Sequence, residues 1–206
     1  YPAVEHLVMH EMAHLDFVLQ ARTAQRNQVF TSDAANKHNF MKTMEAAIQK
    51  LRTRGLDDAL ITTFSEGIFN GLNLQTYNTP IDVFIEDFLY NDYAELRPYQ
   101  FLSLYNLLEE AIKSVTDEQI IDLVPEAIIS KAKIYSLVNA LQFDHLFGVN
   151  LIEKFKATPK ELQQANQFFQ QFLDRKAHRK PGEEFEFIRL WAKALELDGF
   201  FALENE

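Results

Sequence analysis

Apolar residues recur along most of this chain at the three- and four-residue steps of an α-helix, in blocks separated by short polar stretches. The first block runs from about Pro2 to Arg22, carries Val4, Leu7, Val8, Met12, Leu15 and Leu19, and tolerates Pro2 in its first turn. Arg26 to Asn39 is polar and reads as a loop. Phe40, Met41, Met44, Ala47, Ile48 and Leu51 then mark a second helix ending at Gly55, a residue suited to the left-handed turn after a helix. Leu56 to Leu74 predicts a third, weakened by Thr62, Thr63, Gly67 and Gly71.

Sharper signals mark later helix starts. Thr79-Pro80-Ile81-Asp82 sets a capping residue, a first-turn proline and an acid in the order that opens a helix, which predicts a fresh start ahead of Val83, Phe84 and Ile85. Thr158-Pro159-Lys160-Glu161 repeats the device, and Thr116 with Asp117 opens the segment leading to Ile120. Further helices are predicted over Pro98–Val115, Pro125–Phe147 and Glu183–Leu197. No stretch alternates with a period of two, so the predicted fold class is all-α. The expected organisation is a region of residues 1–115 and a second helical region of residues 116–206, packed as one domain.

Composition narrows the function classes. The chain has 206 residues, 47% hydrophobic, with 18 Phe and 7 Tyr, enough to bury a proper core. Its net charge of −10 argues against nucleic acid and anionic membrane as partners, because no cluster of Lys and Arg interleaves with the aromatics. The one basic run, Arg175, Lys176, Arg179 and Lys180, reads as a solvated helix end and loop. No apolar stretch reaches the length of a membrane span. The lack of cysteine excludes disulfides and thiolate metal sites and leaves the redox compartment open, with the cytoplasm favoured.

The chemistry concentrates in His10-Glu11-Met12-Ala13-His14. Positions i and i+4 of a helix share a face, so His10 and His14 can aim ring nitrogens at one ion. Glu11 lies about 100° further round, beside that ion, where it can take a proton from water. A catalytic zinc takes three protein ligands and keeps one position open, so the histidines need a partner. Asp82 and Glu86, four apart on the shoulder of an apolar face, offer a ligand and a group to accept the free N–H of a ligand histidine. Glu86 is placed first as the ligand, Asp82 next, and Glu66 in Ser65-Glu66-Gly67 stands as the alternative. His6 reads as a first-turn polar residue or an outer neighbour of the site. Tyr77, Tyr90 and Tyr93 are positioned in sequence to donate to an oxyanion, and His38, His145 and His178 are isolated.

The run His10-Glu11-Met12-Ala13-His14, with Leu7, Val8 and Leu15 flanking it, resembles the HExxH signature of the zincin metallopeptidases. Asp16 departs from that pattern, which is usually apolar there. A metzincin would continue with Gly and His where this chain has Phe17 and Gln20, so the resemblance is to the gluzincin or aspzincin arrangement, whose third ligand is a carboxylate on a later helix. Gluzincins use an acid pair four apart with Glu first, whereas here Asp82 comes first, and several carry the ligand in a Glu-Gly pair like Glu66-Gly67. The resemblance implies a Zn2+-dependent hydrolase acting on a peptide or protein substrate, with Glu11 as general base. It also implies that this chain is the helical part of such an enzyme, without the N-terminal sheet. The rival expectation is a non-catalytic helical protein-interaction domain with a relic or structural metal site.

Overall fold

The computed structural model describes residues 3–206. The predicted first-turn Pro2 lies outside the described residues. Those residues form nine α-helices and one two-stranded sheet, and the chain is mainly helical.

Helix α1, Val4–Thr23, buries only a thin stripe: His6, Ala13, Phe17 and Ala21. Its large aliphatic residues Val8, Met12, Leu15 and Leu19 face outward, which the apolar character of the stretch does not announce. The expected loop of residues 26–39 instead holds strand β1, Gln28–Thr31, and the start of α2, Ala34–Thr43. The second predicted helix is split between α2 and α3, Glu45–Thr53, which ends in a Schellman turn. There the Leu56 N–H donates to the Leu51 carbonyl at 3.2 Å and the Gly55 N–H to that of Arg52 at 2.9 Å, with Gly55 at φ +82°, where a side chain would be strained.

Helix α4, Asp58–Asp92, corrects the largest expectation. It is continuous over 35 residues and carries Pro80 in its interior, so the predicted break and new start at Thr79 do not occur. An interior proline removes one backbone hydrogen bond and costs about 3 kcal/mol against alanine. The helix survives because Thr76, Thr79, Pro80, Ile81, Val83, Phe84 and Ile85 are all buried there, a favourable term several times larger at about 1.5–3 kcal/mol for each large apolar side chain.

The remaining helices follow their capping signals closely. Helix α5 is Arg97–Thr116, α6 is Glu118–Leu123 with Asp117 as its cap, and α7 is Glu126–Phe147. Helix α8, Pro159–Lys176, opens with a reciprocal cap in which the Glu161 N–H donates to Thr158 Oγ1 and the Thr158 N–H to Glu161 Oε2. Helix α9 is Glu184–Ala194. Strand β2, Ala202–Asn205, pairs antiparallel with β1 in the register Gln28↔Asn205 to Thr31↔Ala202.

Helix α4 is the axis of the structure, packed by α1, α7 and α9, while α7 is sandwiched between α5 and α8. Phe84 meets Phe172 and Phe187 edge-on, and Trp191 stacks on Phe168 with ring centres 4.8 Å apart. One apolar core extends from Ala13 to Phe201, so residues on both sides of position 116 share it. No described helix is long and apolar enough to cross a membrane.

Candidate metal centre

Helix α1 presents His6, His10 and His14 at successive turns, and α4 presents Asp82 and Glu86 one turn apart. The two helices run antiparallel here, because His6 meets Glu86 while His14 meets Asp82. His10 sits between the two acids and touches both.

Glu86 is buried, with 2% of its surface exposed, and a bare carboxylate there would be costly. It accepts from His10 Nδ1 at 2.8 Å through Oε1, and from His6 Nε2 at 3.0 Å and Gln100 Nε2 at 2.5 Å through Oε2. Gln100, from α5, also donates to the backbone carbonyl of Glu86 at 2.9 Å and so ties α5 to α4 at this level. Burial pushes the Glu86 carboxyl up, but the hydrogen bonds from His10 and His6 outweigh it and hold the group at about 2. Burial likewise works against a charged His10, yet hydrogen bonds to Asp82 and Glu86 raise it to about 10. Without a metal, a proton therefore holds this centre together.

On the other side of the His10 ring a second set of atoms converges. His10 Nε2 lies 3.0 Å from His14 Nε2, and Asp82 Oδ1 lies 3.1 Å from His14 Nε2 and 3.5 Å from His10 Nε2. Ligands bound at about 2.0–2.1 Å in a tetrahedral set are about 3.3 Å apart, so these three separations match one small divalent ion. Asp82 Oδ1 is buried, with the two Nε2 atoms of His10 and His14 lying against it. Because His10 Nδ1 donates to Glu86, the neutral ring turns a lone pair on Nε2 toward His14 and Asp82. The donor set of two imidazoles and a carboxylate suits zinc, and it fits these positions.

A pocket of about 340 Å³ opens beside the centre between α1, α4, α5 and α7. His6, His10, Glu11, Asp82 and Glu86 form one wall, and Leu74, Leu104 and Leu107 form part of the other. Glu11 is exposed on α1 next to His10, and the His14 and Asp82 side chains keep 21% and 25% of their surface open to solvent. The centre is thus accessible on one side and sealed by Glu86, His6 and Gln100 on the other.

The structure brings together His10, His14, Asp82, Glu86 and Glu11, and adds His6 as a buried partner of Glu86. Glu66 is not among them. It lies sixteen residues before Asp82, about 24 Å along α4, and pairs with Lys37 of α2. Tyr77 packs edge-on against Phe30, Tyr90 lies under the Arg97 guanidinium, and Tyr93 meets Phe88; none of the three lines the pocket. His38, His145 and His178 are exposed elsewhere. The basic run is largely paired, Arg175 with Glu183, Lys176 with Asp87 and Arg179 with Glu184.

Sequence reasoning missed Gln100 and Ser103 of α5 and the amides Gln75, Asn78, Asn139 and Gln142 around the pocket. A signal was present in α7, where Ser136, Asn139 and Gln142 recur every third residue in an otherwise apolar helix. No family model matches this chain, and neither a curated protein nor a solved structure is detectably similar to it.

Proposed function

We propose that the chain is a zinc-dependent hydrolase, a peptidase of gluzincin-like type, in which His10 Nε2, His14 Nε2 and Asp82 Oδ1 hold the metal. The observation that carries this reading is the convergence of those three atoms within 3.5 Å of one another, with the His10 tautomer set from behind by Glu86. The roles expected for the two acids are exchanged: Asp82 is the ligand, and Glu86 orients His10. That exchange follows from burial, since Glu86 already has its oxygens occupied by His10, His6 and Gln100, whereas Asp82 Oδ1 faces the Nε2 atoms of both His10 and His14.

A zinc ion there supplies Lewis acidity, polarising a carbonyl oxygen and making water acidic near pH 7. Glu11 lines the pocket beside His10 and is exposed there, where it would accept a water's proton and pass it to the leaving amine. Glu86, His6 and Gln100 exclude solvent from the far side of His10, so the ring cannot turn away from its place. The substrate approaches through the pocket, whose leucines can hold the apolar part of a peptide and whose amides can hydrogen-bond its backbone.

A second reading, a non-catalytic helical interaction domain, draws on the outward face of α1. Val8, Met12, Leu15 and Leu19 are 51–66% exposed in one stripe, a pattern that suits a protein partner. Glu11→Gln separates the two. The enzyme loses hydrolysis of a broad peptide library with its zinc retained, whereas an interaction domain shows no hydrolysis in either form.

A further inference from the structure

The pocket beside the metal centre carries two polar side chains that neither the metal nor the helix packing uses. Gln75 Nε2 of α4 donates to Ser136 Oγ of α7 at 3.5 Å, and Gln142 Nε2 of α7 donates to the Val83 carbonyl of α4 at 2.6 Å. These two contacts set α4 and α7 side by side in the same direction, with residues 75–83 running along residues 136–142. Asn78 lies one turn on from Gln75 and Asn139 one turn on from Ser136, so the two asparagines stand at the same level on neighbouring walls of the pocket that both line. Both are half-buried, keep part of their surface open, and hydrogen-bond to nothing through their side chains among the described residues. Asn78 also stands one turn before Asp82, about 6 Å along α4 from the proposed zinc ligand.

Two carboxamides at one level of a pocket set the character of what fills it. Each offers a carbonyl acceptor and an NH2 donor, and only a group that both donates and accepts satisfies them together. A third carboxamide does so through paired N–H···O bonds. A carboxylate brings no donor and meets Glu11, Asp82 and Glu86, with no Lys or Arg lining the pocket among the described residues. An ammonium brings no acceptor and leaves the asparagine NH2 groups unmatched. An apolar group strips water from both amides and returns no hydrogen bond. Leu74, Leu104 and Leu107 line the same pocket and can cover a short aliphatic stem.

We infer that Asn78 and Asn139 are specificity residues that select a glutamine side chain beside the bond to be cut, its two methylenes against the leucines and its carboxamide paired with the two asparagines. The inference rests on the peptidase reading for that bond, but the recognition itself does not need the metal. Asn139 is on α7, apart from the helices that carry His10, His14 and Asp82, so it can be changed without touching the metal site.

The test therefore measures binding apart from hydrolysis. The N-acetylated amides of glutamine, norleucine, lysine and glutamate are titrated into the metal-free and the zinc-loaded protein, and affinity is read from side-chain NMR shifts of the pocket leucines. The glutamine compound should bind both forms at least about 10-fold more tightly than the norleucine compound, which has a similar length and no carboxamide, and more tightly than the two charged ones. Asn139→Leu should weaken the glutamine compound about 10-fold and strengthen the norleucine compound, a reversal of preference that a misfolded variant cannot produce. Equal affinity for the glutamine and norleucine compounds, preference for the lysine or glutamate compound, or an unchanged preference in Asn139→Leu would overturn the inference. If the glutamine compound binds as described to a protein that takes up no zinc, the pocket stands and the metal reading fails alone.

Discussion

Glu86→Gln keeps the volume of the side chain and removes its charge, at the point where three elements meet. The two oxygens of Glu86 accept from His10, His6 and Gln100 at 2.8, 3.0 and 2.5 Å. An amide has one oxygen, so one imidazole N–H must face the new NH2 group, donor against donor. The relief available to His10 is to accept from the amide through Nδ1 and carry its proton on Nε2, the atom aimed at His14 and Asp82. Two effects follow. Breaking a buried, hydrogen-bonded charge pair by removing one partner costs about 3–5 kcal/mol, so urea unfolding of the metal-free variant in the presence of chelator should show a loss of that size. Zinc affinity should fall by about 10–100-fold, the usual effect of losing a partner that orients a ligand histidine. Asp82→Asn provides the contrast, since the Asp82 side chain is 25% exposed while Glu86 is buried: its stability should fall by less than that of Glu86→Gln while zinc binding is lost far more severely. If Glu86→Gln unfolds within about 1 kcal/mol of the parent and binds zinc equally well, the account of the buried network is refuted.

Three further outcomes follow from the same geometry. His10 is held protonated up to about 10, so zinc must displace a proton; its apparent affinity should rise about tenfold per pH unit, or about 100-fold from pH 6 to pH 8, and affinity independent of pH would contradict the assignment. Glu86 is held at about 2 against an ordinary 4.5, so its contribution to stability is complete above pH 4.5 and is lost as pH falls toward 2. His10, raised from 6.5, contributes fully below pH 6.5 and loses that contribution as pH rises toward 10. Metal-free protein should therefore be most stable between these limits, and Glu86→Gln should flatten the acid side of the profile; an acid limb unchanged in the variant would assign it to other carboxylates. Glu11→Gln should keep zinc at parental affinity and lose peptide hydrolysis by at least about 100-fold, and a variant that hydrolyses at the parental rate removes Glu11 from the mechanism.

Much of this site was legible because helical periodicity is local. The i, i+4 spacings of His10 with His14 and of Asp82 with Glu86 place each pair on one face whatever surrounds them. Which acid faces which nitrogen is set by the register of α1 against α4, and sliding one helix past the other by a single turn would exchange them. No local pattern specifies that register. Thr79-Pro80-Ile81-Asp82 misled for a related reason, since the same residues that open an isolated helix are here buried within a longer one, where packing outweighs the proline's cost. The strands Gln28–Thr31 and Ala202–Asn205 are four residues each and depend on a partner more than 170 positions away, which leaves little trace in either segment. Gln100 looked like an ordinary polar residue of α5, because its significance comes from Glu86 on another helix.

Zinc titration against a competing chelator, carried out on the parent and on His14→Ala, Asp82→Ala and Glu66→Ala side by side, tests the central claim most directly. The account predicts one zinc per chain in the parent and in Glu66→Ala, and at least about a thousandfold weaker binding in His14→Ala and Asp82→Ala. A parent that takes up no zinc, or an Asp82→Ala variant that holds it as tightly as the parent, would contradict it.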